Sequence, residues 1–149
     1  MRAVVQRVTE AEVTVQGSST GSIQNGLVVL LGVEDGDTKK DADYIADKVS
    51  GLRIFDDSEG VMNLSVSDIG GGILSVSQFT LLADARKGKR PSYSKAARPE
   101  AAKELYDYFN TKIEEKGITV GKGIFQAEML VKIYNDGPVT ILLDSKKTF

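Results

Sequence analysis

The first fifteen residues constrain this chain most. Ala11, Val13 and Val15 alternate with Glu10, Glu12 and Thr14, and the segment before them is rich in valine. A period of two places successive side chains on opposite faces of a strand. The chain is therefore committed from its start to a sheet with one polar face. Gly17–Gly21 reads as a turn. Asn25-Gly26, a short-hairpin signal, then precedes the apolar run Leu27–Leu31, so antiparallel hairpins are expected in this half.

Asp35–Thr38 end that strand, and Asp37 or Thr38 is placed to cap a helix. Ala42, Ile45, Ala46 and Val49 fall on one helical face, with Gly51 as the stop. Arg53–Phe55 reads as extended and Asp56–Gly60 as a polar turn. After Gly70–Gly72, Ile73–Leu82 reads as a strand. Regular alternation would put Leu74, Val76, Gln78, Thr80 and Leu82 on one face, and Ser75, Ser77, Phe79 and Leu81 on the other. Pro99 suits the first position of a second helix, whose buried stripe is Ala102, Leu105, Tyr106, Phe109 and Ile113, ending at Gly117. Two β-rich runs, Ile118–Tyr134 and Val139–Leu143, close the chain around Asn135–Pro138. This order predicts an α+β fold: a compact, curved, antiparallel-rich sheet with a β-barrel-like core and two packed helices. With 149 residues and neither repeat nor linker, residues 1–149 read as one domain.

Two absences narrow the chemistry. The chain has no cysteine and no histidine. That excludes a thiolate nucleophile, a thiolate–zinc or His-ligated metal site, and a Ser-His-Asp triad. Proton transfer is left to carboxylates, Lys, Tyr, hydroxyls, backbone, water or the substrate. No Walker A or GxGxxG pattern is present, and neither a metal nor a cofactor is expected. The longest apolar stretch, Leu27–Val33, is far below the roughly 20 residues of a spanning helix. Arg2, Arg7 and Glu10 interrupt any signal-peptide core. A cytoplasmic protein with no membrane partner is the expectation.

Four features stand out. Six cations and no acid fall between Arg86 and Arg98, among them Lys87, Lys89 and Arg90, on a chain of net charge −2. Local asymmetry of this kind suits phosphate binding or a solvated loop, and the charges alone support both. Ser77, Gln78, Phe79 and Thr80 interrupt an apolar strand with polar groups, which either brace the fold or face a site. Phe79 offers a face for a base, although composition alone favours core packing. Gly137-Pro138 is a turn dipeptide. Gly121–Met129 holds two glycines and the pocket candidates Phe125 and Met129, with a bulged core strand as the simpler reading.

Ser77–Thr80 and Gly137–Thr140 together resemble the D-aminoacyl-tRNA deacylase family. Met1–Val8, Gly26–Val33, Leu52–Phe55, Met62–Leu64 and Arg86–Pro91 agree in order, so the resemblance spans nearly the whole chain. It implies a homodimer that hydrolyses the ester joining a D-amino acid to the terminal adenosine of tRNA, and that clears glycine mischarged on alanine tRNA. It implies aminoacyl-tRNA as partner, and no DNA. It implies a cis Gly137-Pro138 inserted into the other subunit's site, rejecting L-amino acids at the α-carbon, with Arg7 bracing that loop. Ser77, Gln78 and Thr80 would form the catalytic segment; Phe79, Phe125, Ala127 and Met129 would bind substrate; Lys87, Lys89 and Arg90 would contact tRNA phosphates. Thr80 has no histidine to activate it, so assistance from the ribose 2′-OH fits better. Gln126 departs from the family pattern, which commonly has glycine there. The alternatives are a non-catalytic tRNA-binding module and a relaxed-chirality editing paralogue; the intact Ser77–Thr80 motif argues against the latter.

Overall fold

The computed structural model describes residues 1–149. The opening alternation forms strand β1 (Arg2–Val15), which buries Ala3, Val5, Val8, Ala11 and Val13. Its turn into β2 (Ser18–Ile23) is shorter than the sequence suggested. Gln16 and Gly17 alone make it, at φ 49° and 80°, and Ser18–Gly21 already belong to β2. Both left-handed residues match a tight hairpin between twisted strands.

The Asn25-Gly26 hairpin does not form. Strand β3 (Gly26–Gly32) pairs antiparallel with Arg2–Val8 of β1, whereas β2 pairs with Ala11–Val15. β1 is long enough to seat both strands end to end along one edge. Asn25-Gly26 is therefore a step along that edge, not a reversal between partners. Two short strands, β4 (Phe55–Asp56) and β5 (Met62–Leu64), form a separate hairpin. Strand β6 (Gly72–Ser77) runs parallel to β3, and β7 (Val120–Lys122) parallel to β6. The Thr20 hydroxyl of β2 donates to the Lys122 carbonyl of β7 at 3.2 Å, bringing the ends of the sheet almost into a barrel. β8 (Leu130–Asp144) takes the other edge of β1. The architecture is α+β, with antiparallel pairing around β1 and a parallel segment at β3–β6–β7.

Helix α1 (Lys39–Gly51) begins at Thr38, whose N–H donates to the Asp41 carboxylate at 2.8 Å. Helix α2 (Pro99–Glu115) carries the predicted stripe and also buries Asn110. Both helices pack against Ala3, Val5, Leu27, Val29 and Leu31 on one face of the sheet. Val8, Val13, Val28, Leu74 and Val76 form a second core on the other face. β3 is thus covered on both sides, which explains why its run is continuously apolar rather than alternating. No helix is long and apolar enough to cross a membrane.

Two other expectations change. The strand expected over Ile73–Leu82 stops at Ser77, and Phe79–Leu82 form a 3-10 helix. The two faces assigned by alternation therefore end there. The Gln78 N–H makes the last bond to β3, to the Leu31 carbonyl at 2.8 Å, and the chain then folds back over Gly32. A Cβ at Gly32 would lie 2.7 Å from Leu82 Cδ2. The run expected over Ile118–Tyr134 is broken at residues 123–129, after β7, and its last part continues into Val139–Leu143 as one strand, β8. Asn135–Pro138 lie within it.

Gly26 has the tightest approach in the sheet: a Cβ there would sit 1.9 Å from the Gly72 carbonyl oxygen of β6. Both atoms are strand backbone and cannot yield without unpairing β3 from β6. Gly26→Ala is expected to cost about 3 kcal/mol or more in urea unfolding. Gly51→Ala, with nothing within 4 Å of the new Cβ, is expected to be neutral or to stabilise by roughly 0.5–1 kcal/mol as a helix substitution.

Candidate active site

The 3-10 helix leaves the sheet beside a cavity of about 630 Å³, lined mainly by apolar side chains. Val76, Ser77, Gln78 and Phe79 form one wall, and Phe125, Ala127 and Met129 another. Tyr93, Ala97 and Ala102, from the segment entering α2 and the helix itself, complete it. Four of the substrate-contact candidates, Phe79, Phe125, Ala127 and Met129, thus meet around one space, with Ser77 and Gln78 beside them.

Each wall has a local cause. Ser77 is the last residue of β6, paired with Leu31 of β3. Phe79 opens the 3-10 helix and is turned outward, 56% exposed, against the expectation of core packing. Its ring stands edge-on to Tyr93, with centroids 5.2 Å apart and planes at 70°. An aromatic pair this exposed, one ring presenting its edge to the other, leaves a free π-face at the cavity mouth. Phe125 packs near Tyr106, 6.3 Å between ring centroids. The Tyr106 hydroxyl donates to the Ser75 carbonyl at 2.8 Å, and burial pushes its pKa up. Tyr106 is thus a neutral brace under the cavity floor.

Thr80 does not line the cavity. Its Oγ1 accepts from Gln78 Nε2, so its neighbour is an amide donor. No group beside it can take the hydroxyl proton, and Thr80 lacks the partner an activated nucleophile requires. The N–H groups of Phe79 and Thr80, which open the helix, have no acceptor within it.

The basic segment is a loop closed at its neck by Asp84 and Ser92, which exchange backbone hydrogen bonds of 2.7 and 2.9 Å. Arg86 is spent locally on Asp84, at 2.6 and 2.9 Å. Hydrogen bonds from the Arg86 side chain and N–H hold the Asp84 carboxyl far below the usual range. Lys87, Lys89 and Arg90 remain exposed beyond this pair. Tyr93 follows the neck, so the loop that carries the cations also supplies the aromatic at the cavity mouth. Nothing in the sequence marks Tyr93 as a partner of Phe79, because fourteen positions and a run of charges separate the two.

Gly137 and Pro138 lie elsewhere. From Gln6 to Val8 the pairing advances two residues on β1 but five on β8, from Thr140 to Asn135. The surplus residues are extruded as a loop. Asn135 closes its neck, donating from Nδ2 to the carbonyls of Arg7 and Val139, each at 3.0 Å. The Gly137–Pro138 bond is cis, and both residues are exposed and outside the cavity of their own chain. Arg7 lies beneath the loop. Its Nη1 donates to the Ile54 carbonyl at 2.8 Å, and its Nε lies 3.2 Å from the Asp136 carboxylate. A Cβ on Gly137 would fall 2.9 Å from Arg7 Nη2. Arg7 is 12% exposed, so this cation is held by the loop and the segment before β4 together.

Gln126 adopts φ +63°, a left-handed conformation that glycine adopts freely.

Arg7→Met keeps the stem and removes the charge and donors. It is expected to speed amide hydrogen exchange across residues 135–139 by about tenfold or more, the size of a lost hydrogen bond to a charged group. Exchange in α2 should stay unchanged.

A family model described as D-Tyr-tRNA(Tyr) deacylase matches residues 4–144. A protein of Koribacter versatilis (strain Ellin345) named D-aminoacyl-tRNA deacylase is 60% identical over 149 residues, covering all of both chains. One of the same name from Clostridioides difficile (strain 630) is 58% identical, again over the whole of both. Among solved structures, the c-Myc DNA Unwinding Element Binding Protein superposes with a TM-score of 0.91 at 41% identity, over 97% of this chain and 98% of that one. A probable eukaryotic D-amino acid tRNA deacylase superposes at 0.80 over 96% and 98%, but at 16% identity that likeness concerns the fold alone.

Proposed function

Because this chain belongs to the D-Tyr-tRNA(Tyr) deacylase family, we propose that it hydrolyses the ester between a D-amino acid and the terminal adenosine of tRNA. The full-length identity to relatives named D-aminoacyl-tRNA deacylase carries this reading most directly. The geometry of the cavity supports the details.

The terminal adenine stacks at the cavity mouth against the exposed ring of Phe79. The acyl group enters between Ser77–Gln78 and the wall of Phe125, Ala127 and Met129. Lys87, Lys89 and Arg90 take backbone phosphates, a long-range term that any tRNA satisfies. Water adds to the acyl carbon, the acyl C–O bond to the ribose breaks, and a proton passes to the departing ribose oxygen. The N–H groups of Phe79 and Thr80 serve the developing oxyanion, where donors fixed in advance contribute most. The chain has no histidine, and the only side-chain partner of Thr80 is an amide. The ribose 2′-OH therefore assists the water, and the protein contributes position.

The Gly137-Pro138 loop discriminates against L-amino acids. It stands outside its own chain's cavity, so it acts on the cavity of a second copy. The sheet offers a place for that copy. One edge of β8 is unpaired along its length, and Leu130, Tyr134 and Leu142 are exposed along the strand at 61%, 58% and 57%. A long unpaired strand edge that carries exposed apolar side chains is a surface that folded proteins cover. A backbone gate tests which way the Cβ points, so it passes D-amino acids whatever their side chains. It also passes glycine, including glycine mischarged on alanine tRNA.

Purified protein, with chelator present, is expected to cleave D-aminoacyl-tRNA and glycyl-tRNA and to spare the matched L-aminoacyl-tRNA. Binding of tRNA without cleavage would instead make the chain a binding module, and cleavage of small L-aminoacyl esters would make it a relaxed editor. Light scattering is expected to give twice the 16.1 kDa of one chain; an active monomer would remove the cross-subunit gate.

A further inference from the structure

Three residues other than glycine have positive φ: Gln16, Gln126 and Lys147. Gln16 belongs to the β1–β2 hairpin turn, and Lys147 to a turn whose N–H returns to the Asp144 carbonyl at 2.9 Å. Gln126 differs from both, because it lies at a cavity. The Ala127 N–H donates to the Ile124 carbonyl at 3.1 Å, closing a four-residue turn with Gln126 in its third position. Positive φ at that position is the signature of a type II turn, where glycine or asparagine is the easy choice. A long carboxamide stands there at a conformational cost. An observed backbone outlier at a site is a reason to look for what the side chain does.

The polar side chains around the cavity are not equivalent. Gln78 is engaged with Thr80. The Gln126 side chain is exposed, and its amide makes no hydrogen bond within the chain. It shares the cavity with Phe79 and Tyr93, the aromatic pair that offers a stacking face. A stacking face accepts every base and distinguishes none. A carboxamide alongside adds one acceptor and one donor side by side. Adenine presents the complementary edge, an exocyclic amine next to a ring nitrogen.

We propose that Gln126 reads the terminal base of the tRNA, its Oε1 accepting from the adenine exocyclic amine and its Nε2 donating to the neighbouring ring nitrogen. This rests on the deacylase reading. Gln126 is a specificity residue for the end of the acceptor strand, separate from the groups around the ester.

The test uses D-aminoacyl-tRNA ending in adenosine and the same tRNA ending in purine riboside, which lacks the exocyclic amine. The parent enzyme is expected to lose about tenfold in kcat/KM on the purine end, mainly through KM, the size of one base-edge pairing. Gln126→Leu, which keeps bulk and removes the amide, is expected to cleave both ends equally. Gln126→Gly, relieved of the left-handed side chain, is expected to do the same and to melt no lower than the parent. It keeps the test decisive if the leucine variant folds poorly. Variants that retain the tenfold penalty, or a parent that cleaves both ends equally, would overturn the inference while leaving the deacylase reading intact. A parent that cleaves neither D-aminoacyl ester would remove that reading, and this one with it.

Discussion

Everything in this fold depends on the hydrogen-bonding capacity of β1. Most of its fourteen residues are paired on both edges. One edge is shared end to end by β3 and β2, and the other belongs to β8. Because β2 and β3 occupy the same edge in succession, the parallel strands β6 and β7 can continue from β3 and return towards β2, curving the sheet into a barrel. That curvature creates a second apolar core inside the sheet, against which the cavity opens. The extended pairing of β1 with β8 also allows a loop to be extruded without ending either strand. Asn135 satisfies the carbonyls that the surplus residues would otherwise orphan.

The parts of this architecture legible in sequence are those set by local periodicity. Ala42, Ile45, Ala46 and Val49 mark α1 because a helix face is a spacing rule, and Pro99 with Ala102–Ile113 marks α2 for the same reason. The alternation at Ala11, Val13 and Val15 marks β1. The failures come where a long-range partner decides. Asn25-Gly26 carries a hairpin signal, yet the antiparallel partner of β3 is β1, and the glycine is required because a Cβ there would lie 1.9 Å from the Gly72 carbonyl oxygen. Ile73–Leu82 keeps strand composition throughout, but β3 ends at Gly32 and leaves Phe79–Leu82 without a ladder. Asn135–Pro138 looks like an interruption because its residues are turn formers. Only the register with Gln6 and Val8 shows that the strand continues on both sides.

The site was readable to a different degree. Ser77, Gln78, Phe79, Phe125, Ala127 and Met129 were all nominated, and the structure places them around one cavity. Tyr93 escaped notice because an aromatic in a charged loop carries no periodic signal. Its role depends on the Asp84–Ser92 neck that folds the loop back towards Phe79. Arg86 shows the opposite error of counting charges. It is one of six cations between Arg86 and Arg98, but Asp84 consumes it, and the loop's free positive charge starts at Lys87. The extrusion of Gly137-Pro138 depends on pairing between residues more than a hundred positions apart, and composition cannot carry that.

A chain without histidine or cysteine has few ways to make a nucleophile, and the proposed chemistry follows from that limit. Of the two hydroxyls in the motif, on Ser77 and Thr80, neither has a histidine to activate it and that of Thr80 accepts from an amide, while the exposed cations lie in a loop suited to phosphates rather than to proton transfer. What remains is geometry: two backbone N–H groups at the start of a 3-10 helix, an aromatic pair, and an apolar wall. Groups of that kind bind and orient an ester; they do not abstract protons. An aminoacyl ester on ribose brings a vicinal hydroxyl with it, so such a site needs only to hold the substrate in a reactive arrangement. Selectivity then has to come from shape. In the proposed reading the Gly137-Pro138 loop supplies it, braced by the half-buried cation of Arg7, because displacing Gly137 would also disturb the contacts of Arg7 with Ile54 and Asp136.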